Sequence, residues 1–192
     1  VEKVEEFRYL GSTVQSNGEC VREVKKRVQT GWSGWRRVIA GVICDRRVSA
    51  RVKGKVYRTV VRPAMLYGLE TVALSKRQEV EQEVAVLKML RFSLGVTRMD
   101  RIKNEFIRGT AHVGRFGDKV REVRLFGYVQ RRDMRYISRR MLRMETPGRR
   151  QRGRLRRRFM DVVRENIQVV GLKKADVEDR EVWRRMIRCG EP

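Results

Sequence analysis

Residues 21–42 read VREVKKRVQTGWSGWRRVIAGV, and this stretch decides the class of the fold. Val21, Val24, Val28, Trp32, Trp35, Val38, Ile39 and Val42 recur at three- and four-residue intervals, the period of an amphipathic helix. Lys25, Lys26, Arg27, Arg36 and Arg37 stand around that apolar stripe. The two tryptophans lie one turn apart on the valine face, so a place in the core is their first reading. A base or sugar stacked on one of them is the alternative. Gly31 and Gly34 each weaken the helix by about 1 kcal/mol relative to Ala, or else they admit a neighbouring helix at close range.

Helical periodicity continues toward the C-terminus. Ser49 is placed to cap a second helix with Val52, Val56, Val60 and Val61 on one side and Lys53, Lys55, Arg58 and Arg62 around them. Pro63 should kink or interrupt it, because proline lacks the N–H and crowds the preceding turn. Ser75 with Gln78 forms a capping-box pattern. It opens a third helix whose apolar positions are Val80, Val84, Leu87, Met89, Leu90 and Leu94, closed by Gly95. Asp100 is expected to cap a short fourth helix through Arg108, and Asp118 to precede a fifth with Val120, Val123, Phe126 and Val129 inward. Met134, Ile137, Met141 and Leu142 mark a sixth. After the segment PGRRQRGRLRRR at 147–158, seven arginines in twelve residues with no acid, comes a helix with Phe159, Val162, Val163, Ile167 and Val170, closed by Gly171. Asp176 is expected to cap a last helix carrying Val182, Trp183, Met186 and Ile187. Toward the N-terminus, Phe7 to Val14 has strand composition, and Ser16-Asn17-Gly18 supplies a hairpin-type turn. The fold class is therefore mainly α with one short β-hairpin at the start.

The whole chain of 192 residues carries 47 Lys and Arg against 23 Asp and Glu, a formal charge of +24. A field of that sign and size draws polyanions. Nucleic acid is the first expectation and an anionic membrane surface the weaker one. Hydrophobic residues at 41% suffice for a core, so the charge does not imply disorder. Three separated cysteines, Cys20, Cys44 and Cys189, and the single His112 complete no zinc pattern, and point to a reduced, intracellular setting, nuclear or cytoplasmic. No apolar run is long enough to span a bilayer. The first residue, Val1, fits a piece of a longer chain, as it would a processed one.

Several blocks, in order, resemble non-LTR (LINE-type) retrotransposon reverse transcriptases. They are Phe7-Arg8-Tyr9-Leu10-Gly11-Ser12-Thr13, Trp32-Ser33-Gly34-Trp35, the stretch RPAMLYGLET at 62–71, Leu94-Gly95-Val96-Thr97-Arg98, and the basic block RGRLRRRFMD at 152–161. The chain departs from the family at Leu125, where a Trp is usual, at Tyr128 for His, at Leu155 for Pro and at Phe159 for Trp. The resemblance implies the end of a palm and its primer-grip hairpin at 1–18 and a helical thumb-like domain at 19–111. A helical extension at 112–146, an Arg-rich linker at 147–158 and a C-terminal helical pair at 159–192 would follow. It implies that Tyr9, Leu10 and Gly11 seat the primer end. Lys25, Lys26, Arg36, Arg37, Lys53 and Lys55 would track phosphates of a template–primer duplex. Arg149, Arg150, Arg152, Arg154, Arg156, Arg157 and Arg158 would hold element RNA or target DNA, or serve as a nuclear-localisation patch.

Catalytic residues are not expected here. Polymerase chemistry needs carboxylates that hold two divalent cations, which the family carries as an adjacent aspartate pair after an aromatic residue. No Asp-Asp pair occurs in this chain; Glu5-Glu6 and Glu178-Asp179 lack that context and read as solvated or capping residues. The pair and its magnesium would belong to the palm upstream, in the rest of the polypeptide. The chain alone is thus expected to be no enzyme and to need no cofactor or metal of its own. Two other readings stay open: a stand-alone basic nucleic-acid-binding module domesticated from such an element, and a helical protein-interaction domain whose arginines serve localisation. An aromatic-Ala-Asp-Asp block upstream would favour the first reading. An initiator Met just before Val1 would favour the others, and weak, salt-insensitive nucleic-acid binding the last.

Overall fold

The computed structural model describes residues 4–9, 11–16, 20–69, 72, 74–120, 124–144 and 159–186. They fall into two compact units, one within Val1–Val120 and one within Arg121–Cys189. The chain is mainly helical, with a short antiparallel hairpin at its start.

Strands β1 (Glu6–Tyr9) and β2 (Ser12–Gln15) pair antiparallel, Tyr9 opposite Ser12 and Glu6 opposite Gln15. The hairpin therefore closes at Gly11, inside the stretch read as one strand. Asn17 and Gly18 lie outside the described residues. Gly11 has φ +82°, a left-handed conformation that a residue with a Cβ adopts only with strain.

Helix α1 (Val21–Val38) runs into a wider π turn at Ile39–Ile43. Its buried face holds Val24, Gly31 and Trp35, as the apolar period requires, and also Glu23 and Arg27. The second helical stretch begins at Ser49, whose hydroxyl accepts the Val52 N–H, and runs as α2 (Ala50–Val56), a π turn (Tyr57–Val61) and α3 (Arg62–Leu66). Pro63 does not break it. The Arg62 N–H reaches back to the Tyr57 carbonyl, one residue further than in an α-helix, and this widened turn leads directly into the proline.

The buried face of this stretch differs from the valine stripe. Val52 and Val60 are each 46% exposed, whereas Tyr57, Val61 and Met65 are fully buried. Small residues select the face that packs. A Cβ at Gly31 of α1 would stand 2.5 Å from Met65 Cγ, and one at Gly54 would stand 1.8 Å from the Ala111 carbonyl oxygen. The apolar stripes of the two helical stretches are expected to pack through Val28, Trp32, Trp35, Val38, Val56 and Val60. Trp35 is in the core with Val28, Trp32 and Val38 partly buried against it, whereas Val56 is not part of that core and Val60 is 46% exposed. Because the neighbour of Gly54 is backbone, it cannot rotate away. Gly54→Ala is expected to cost about 3 kcal/mol, the upper end of overpacking penalties. Gly34→Ala, whose Cβ meets nothing within 4 Å, should instead stabilise by up to about 1 kcal/mol. Thermal melts of the two variants check this, and matching shifts would refute the close approach.

Helix α4 (Lys76–Ser93) carries the expected capping box between Ser75 and Gln78. It ends in a Schellman motif, with Gly95 N–H to Phe92 O, Val96 N–H to Arg91 O and Gly95 at φ +68°. Its C-terminal half is buried on several sides through Val86, Leu87, Met89 and Leu90, while Val80 faces solvent. Asp100 does not cap the next helix. Its carboxylate accepts the Thr97 N–H and hydroxyl, bonds that hold its pKa below the ordinary carboxylate value. Helix α5 (Asn104–Ala111) starts four residues later and ends at His112, whose φ of 50° takes the left-handed position usually given to glycine. Helix α6 (Phe116–Val120) contains Asp118 rather than following it, and Phe116 completes the core of this unit.

In the other unit, α7 (Arg124–Gln130), α8 (Ile137–Met141), α9 (Phe159–Val170), a 3-10 turn (Lys174–Val177) and α10 (Arg180–Met186) surround Trp183. Phe126 from the 112–146 segment shares this core with Val163, Leu172 and Val177 from 159–192. Gly171, φ +71°, closes α9 as expected, with Leu172 N–H to Ile167 O. The cap of α10 is Asp179 rather than Asp176. Its carboxylate accepts the Glu181 and Val182 N–H groups, which lowers its pKa. Asp176 instead accepts the Lys173 N–H at the 3-10 turn. Gly127 lies against the Trp183 indole, 2.1 Å from Nε1 for an added Cβ.

Candidate nucleic-acid interface

The hairpin turn is held against α1 by a buried polar network. Glu23, 2% exposed, accepts the Thr13 N–H at 2.8 Å through one carboxylate oxygen and Arg27 Nε at 2.6 Å through the other. Arg27, 6% exposed, also donates to the Gly11 carbonyl and the Ser12 hydroxyl, each at 3.1 Å. Its guanidinium lies over the Tyr67 ring, 4.8 Å from the centroid. Lys26 Nζ donates to the same Gly11 carbonyl at 2.9 Å. Gly68, φ +76°, leaves room for Ser12, whose hydroxyl would lie 2.6 Å from a Cβ there. Outside this network Arg22 pairs with Glu6 at the surface. The structure thus brings the blocks around Gly11 and around Tyr67-Gly68 together on α1, with Arg27 between them. A charge pair this deep is tolerated because further donors and acceptors satisfy it.

The outer face of α1 is basic at both ends, with neutral Gln29 and Ser33 between. At 3.6 residues per turn, Arg22, Lys25, Lys26, Gln29, Ser33, Arg36 and Arg37 fall within an arc of about 120°. Lys25, Arg36 and Arg37 are exposed, and Lys26 is half-buried by its bond to the turn. The arc holds no acid, since the helix's one carboxylate, Glu23, is buried in the network. From Arg22 to Arg37 it spans about 22 Å at 1.5 Å per residue, the length over which duplex DNA presents several phosphates on one strand.

Lys53 does not join this surface. It is 8% exposed and donates to the Ser93 carbonyl at 3.0 Å, so its stem fills the α2–α4 contact and its charge serves the fold. Lys55, on the other side of α2, is exposed. The side chain of Tyr9, Leu10 and the arginines from Arg149 to Arg158 lie outside the described residues. Arg46 and Arg47, exposed between the first π turn and α2, and Arg51, exposed in the first turn of α2, are further basic positions that sequence reading passed over. Adjacent arginines before a helix were the available signal.

Other arginines serve the fold. Arg91 donates to the Thr97 and Ile102 carbonyls and to Asn104 Oδ1. Arg108 bridges Glu83 and Glu105, and Arg58 donates to the His112 carbonyl. Among the described residues, no group of three His, Cys, Asp or Glu side chains is gathered as a metal site, and no helix is long and apolar enough to cross a membrane. No protein-family model, curated protein or solved structure matches the chain.

Proposed function

We propose that this chain is the nucleic-acid-holding C-terminal part of a LINE-type RNA-directed DNA polymerase, gripping a template–primer duplex whose chemistry is carried out by an upstream palm. The observation that carries the reading is the docking of the Gly11 turn onto a helix whose outer face presents Lys25, Arg36 and Arg37 to solvent and has no carboxylate of its own. The buried Glu23–Arg27 pair fixes the turn relative to α1, so a primer end seated at the turn and phosphates tracked by Lys25, Arg36 and Arg37 would share one rigid frame. Contacts of this kind position a duplex without reading its bases. Magnesium and its carboxylates would come with the palm, and RNA and DNA are the partners.

The test is a salt titration of binding to two unrelated DNA duplexes and an RNA–DNA hybrid. Each phosphate contact contributes about 0.9 to the slope of log affinity against log salt on duplex DNA. Replacing Lys25, Arg36 and Arg37 by Gln should flatten that slope by about 2–3, with similar losses of affinity on all sequences. A second variant with Gln at the seven arginines from Arg149 to Arg158 should flatten it by several units. Slopes unchanged in both variants would refute the grip, and a loss confined to one sequence would mean base readout instead.

A further inference from the structure

The turn between α7 and α8 combines exposed aromatic rings, exposed thioethers and arginines in a way the core of its unit does not need. Arg132 lies over the Tyr128 ring at 4.6 Å from its centroid and 5.8 Å from that of Tyr136, and it donates to the Tyr128 hydroxyl. Both tyrosines are exposed, Tyr128 at 45% and Tyr136 at 40%. The turn is ordered by its own backbone, Arg132 N–H to Val129 O at 3.2 Å and Tyr136 N–H to Asp133 O at 3.0 Å. Arg139 donates to the Arg132 carbonyl. Beside the rings, Met134, Ile137, Met141 and Met144 are each more than half exposed, whereas Leu142, expected on the same helix as the first three, packs partly on the core.

Charge defines what could cover these groups. Between residues 124 and 144 the only acid is Asp133, one of whose carboxylate oxygens accepts the Arg135 N–H at 2.8 Å. Arg135, Arg140 and Arg143 are exposed in the same stretch. A ligand for this surface must offer flat apolar faces and regularly spaced negative charge together. An unpaired polynucleotide does both, since its bases stack on aromatic and guanidinium planes while its phosphates meet arginine. A duplex offers the phosphates but keeps its base faces stacked inside. A membrane-surface helix would need a longer apolar face than the five residues of α8.

We propose that the α7–α8 turn, built on Tyr128, Arg132 and Tyr136 and flanked by Arg135, Arg140 and Arg143, is a binding platform for single-stranded nucleic acid. It is separate from the duplex grip on α1 and stands or falls without it.

The experiment measures fluorescence anisotropy of labelled oligouridylate, oligothymidylate and a blunt DNA duplex with the full chain. Stacking of one base is worth about 5- to 150-fold in affinity. Combined Tyr128→Ala and Tyr136→Ala should therefore weaken both single strands by about tenfold or more while changing duplex binding by less than about twofold. Tyr128→Phe with Tyr136→Phe should restore single-strand binding, because the rings remain. If the alanine variant loses its cooperative melt, Arg140→Gln with Arg143→Gln, both at the surface, should flatten the single-strand salt slope by about 1.4, at 0.7 for each phosphate. Unchanged single-strand affinity in the alanine variant and an unchanged slope in the glutamine variant would each overturn the platform. So would an equal loss on the duplex, or binding to phosphatidylserine vesicles that the oligonucleotides do not compete away. Failure of the α1 variants with success here would leave the platform standing and remove the duplex grip.

Discussion

Trp35→Ala should lower the stability of the first unit by about 3–5 kcal/mol, a large part of the total for a small domain, and its melting temperature by about 10–30 °C. The indole has no solvent exposure and sits in one cluster with Val24, Tyr57, Val61 and Leu90. Alanine would leave a cavity that α1, α3 and α4 cannot close without shifting together. The Nε1 donor meets no hydrogen-bond acceptor among the described residues, so part of the indole's packing gain is offset by a donor those residues do not satisfy. Trp35→Phe, which removes that donor and keeps an aromatic ring, should recover most of the loss. Denaturant titrations of both variants decide the point. An unmoved transition in Trp35→Ala, together with weakened nucleic-acid binding, would make Trp35 a surface stacker and refute its place in the core.

Glu23→Ala carries the second large effect. It leaves the Arg27 guanidinium buried without its counter-charge and strips the Thr13 N–H of its acceptor. Breaking a buried pair from one side costs about 3–5 kcal/mol. The remaining bonds of Arg27 to Gly11 and Ser12, and its contact with Tyr67, place the expectation near the lower figure. Glu23→Gln keeps the shape and an acceptor for Thr13, so it should cost less. The change has a local signature beyond stability. With the latch gone, hydrogen exchange at Thr13 should speed up far more than exchange in α4. Equal protection at Thr13 in wild type and Glu23→Ala would show that the hairpin docks by packing alone.

What could be read before folding was local. The Ser75–Gln78 box, the Ser49 cap and the helix stops at Gly95 and Gly171 are all made between residues a few positions apart. Such bonds depend on neighbouring side chains and on glycine's freedom at positive φ, and both are visible in the letters. The apolar period of α1 likewise announced the burial of Val24 and Trp35. Even local reading failed where an acceptor had more than one donor in reach or a donor more than one acceptor: Asp100 turned back to Thr97, and Asp179 took the cap expected of Asp176.

Only the tertiary structure decided which charges belong to the surface. Lys53 and Lys55 are two residues apart in one run, yet Lys53 finds an acceptor at Ser93, forty positions on, and Lys55 finds solvent. Glu23 and Arg27 are four residues apart on a basic helix, and their pair is buried in the network that holds the hairpin turn. Gly54 lets the α5 backbone come closer than a side chain would allow, while the valines at 52 and 60 stay exposed. Composition alone determined that this protein carries an excess of positive charge that favours polyanions. The distribution of that charge followed from long-range contacts, because a lysine or arginine has an apolar stem as well as a charged head, and only a distant acceptor settles whether it turns inward.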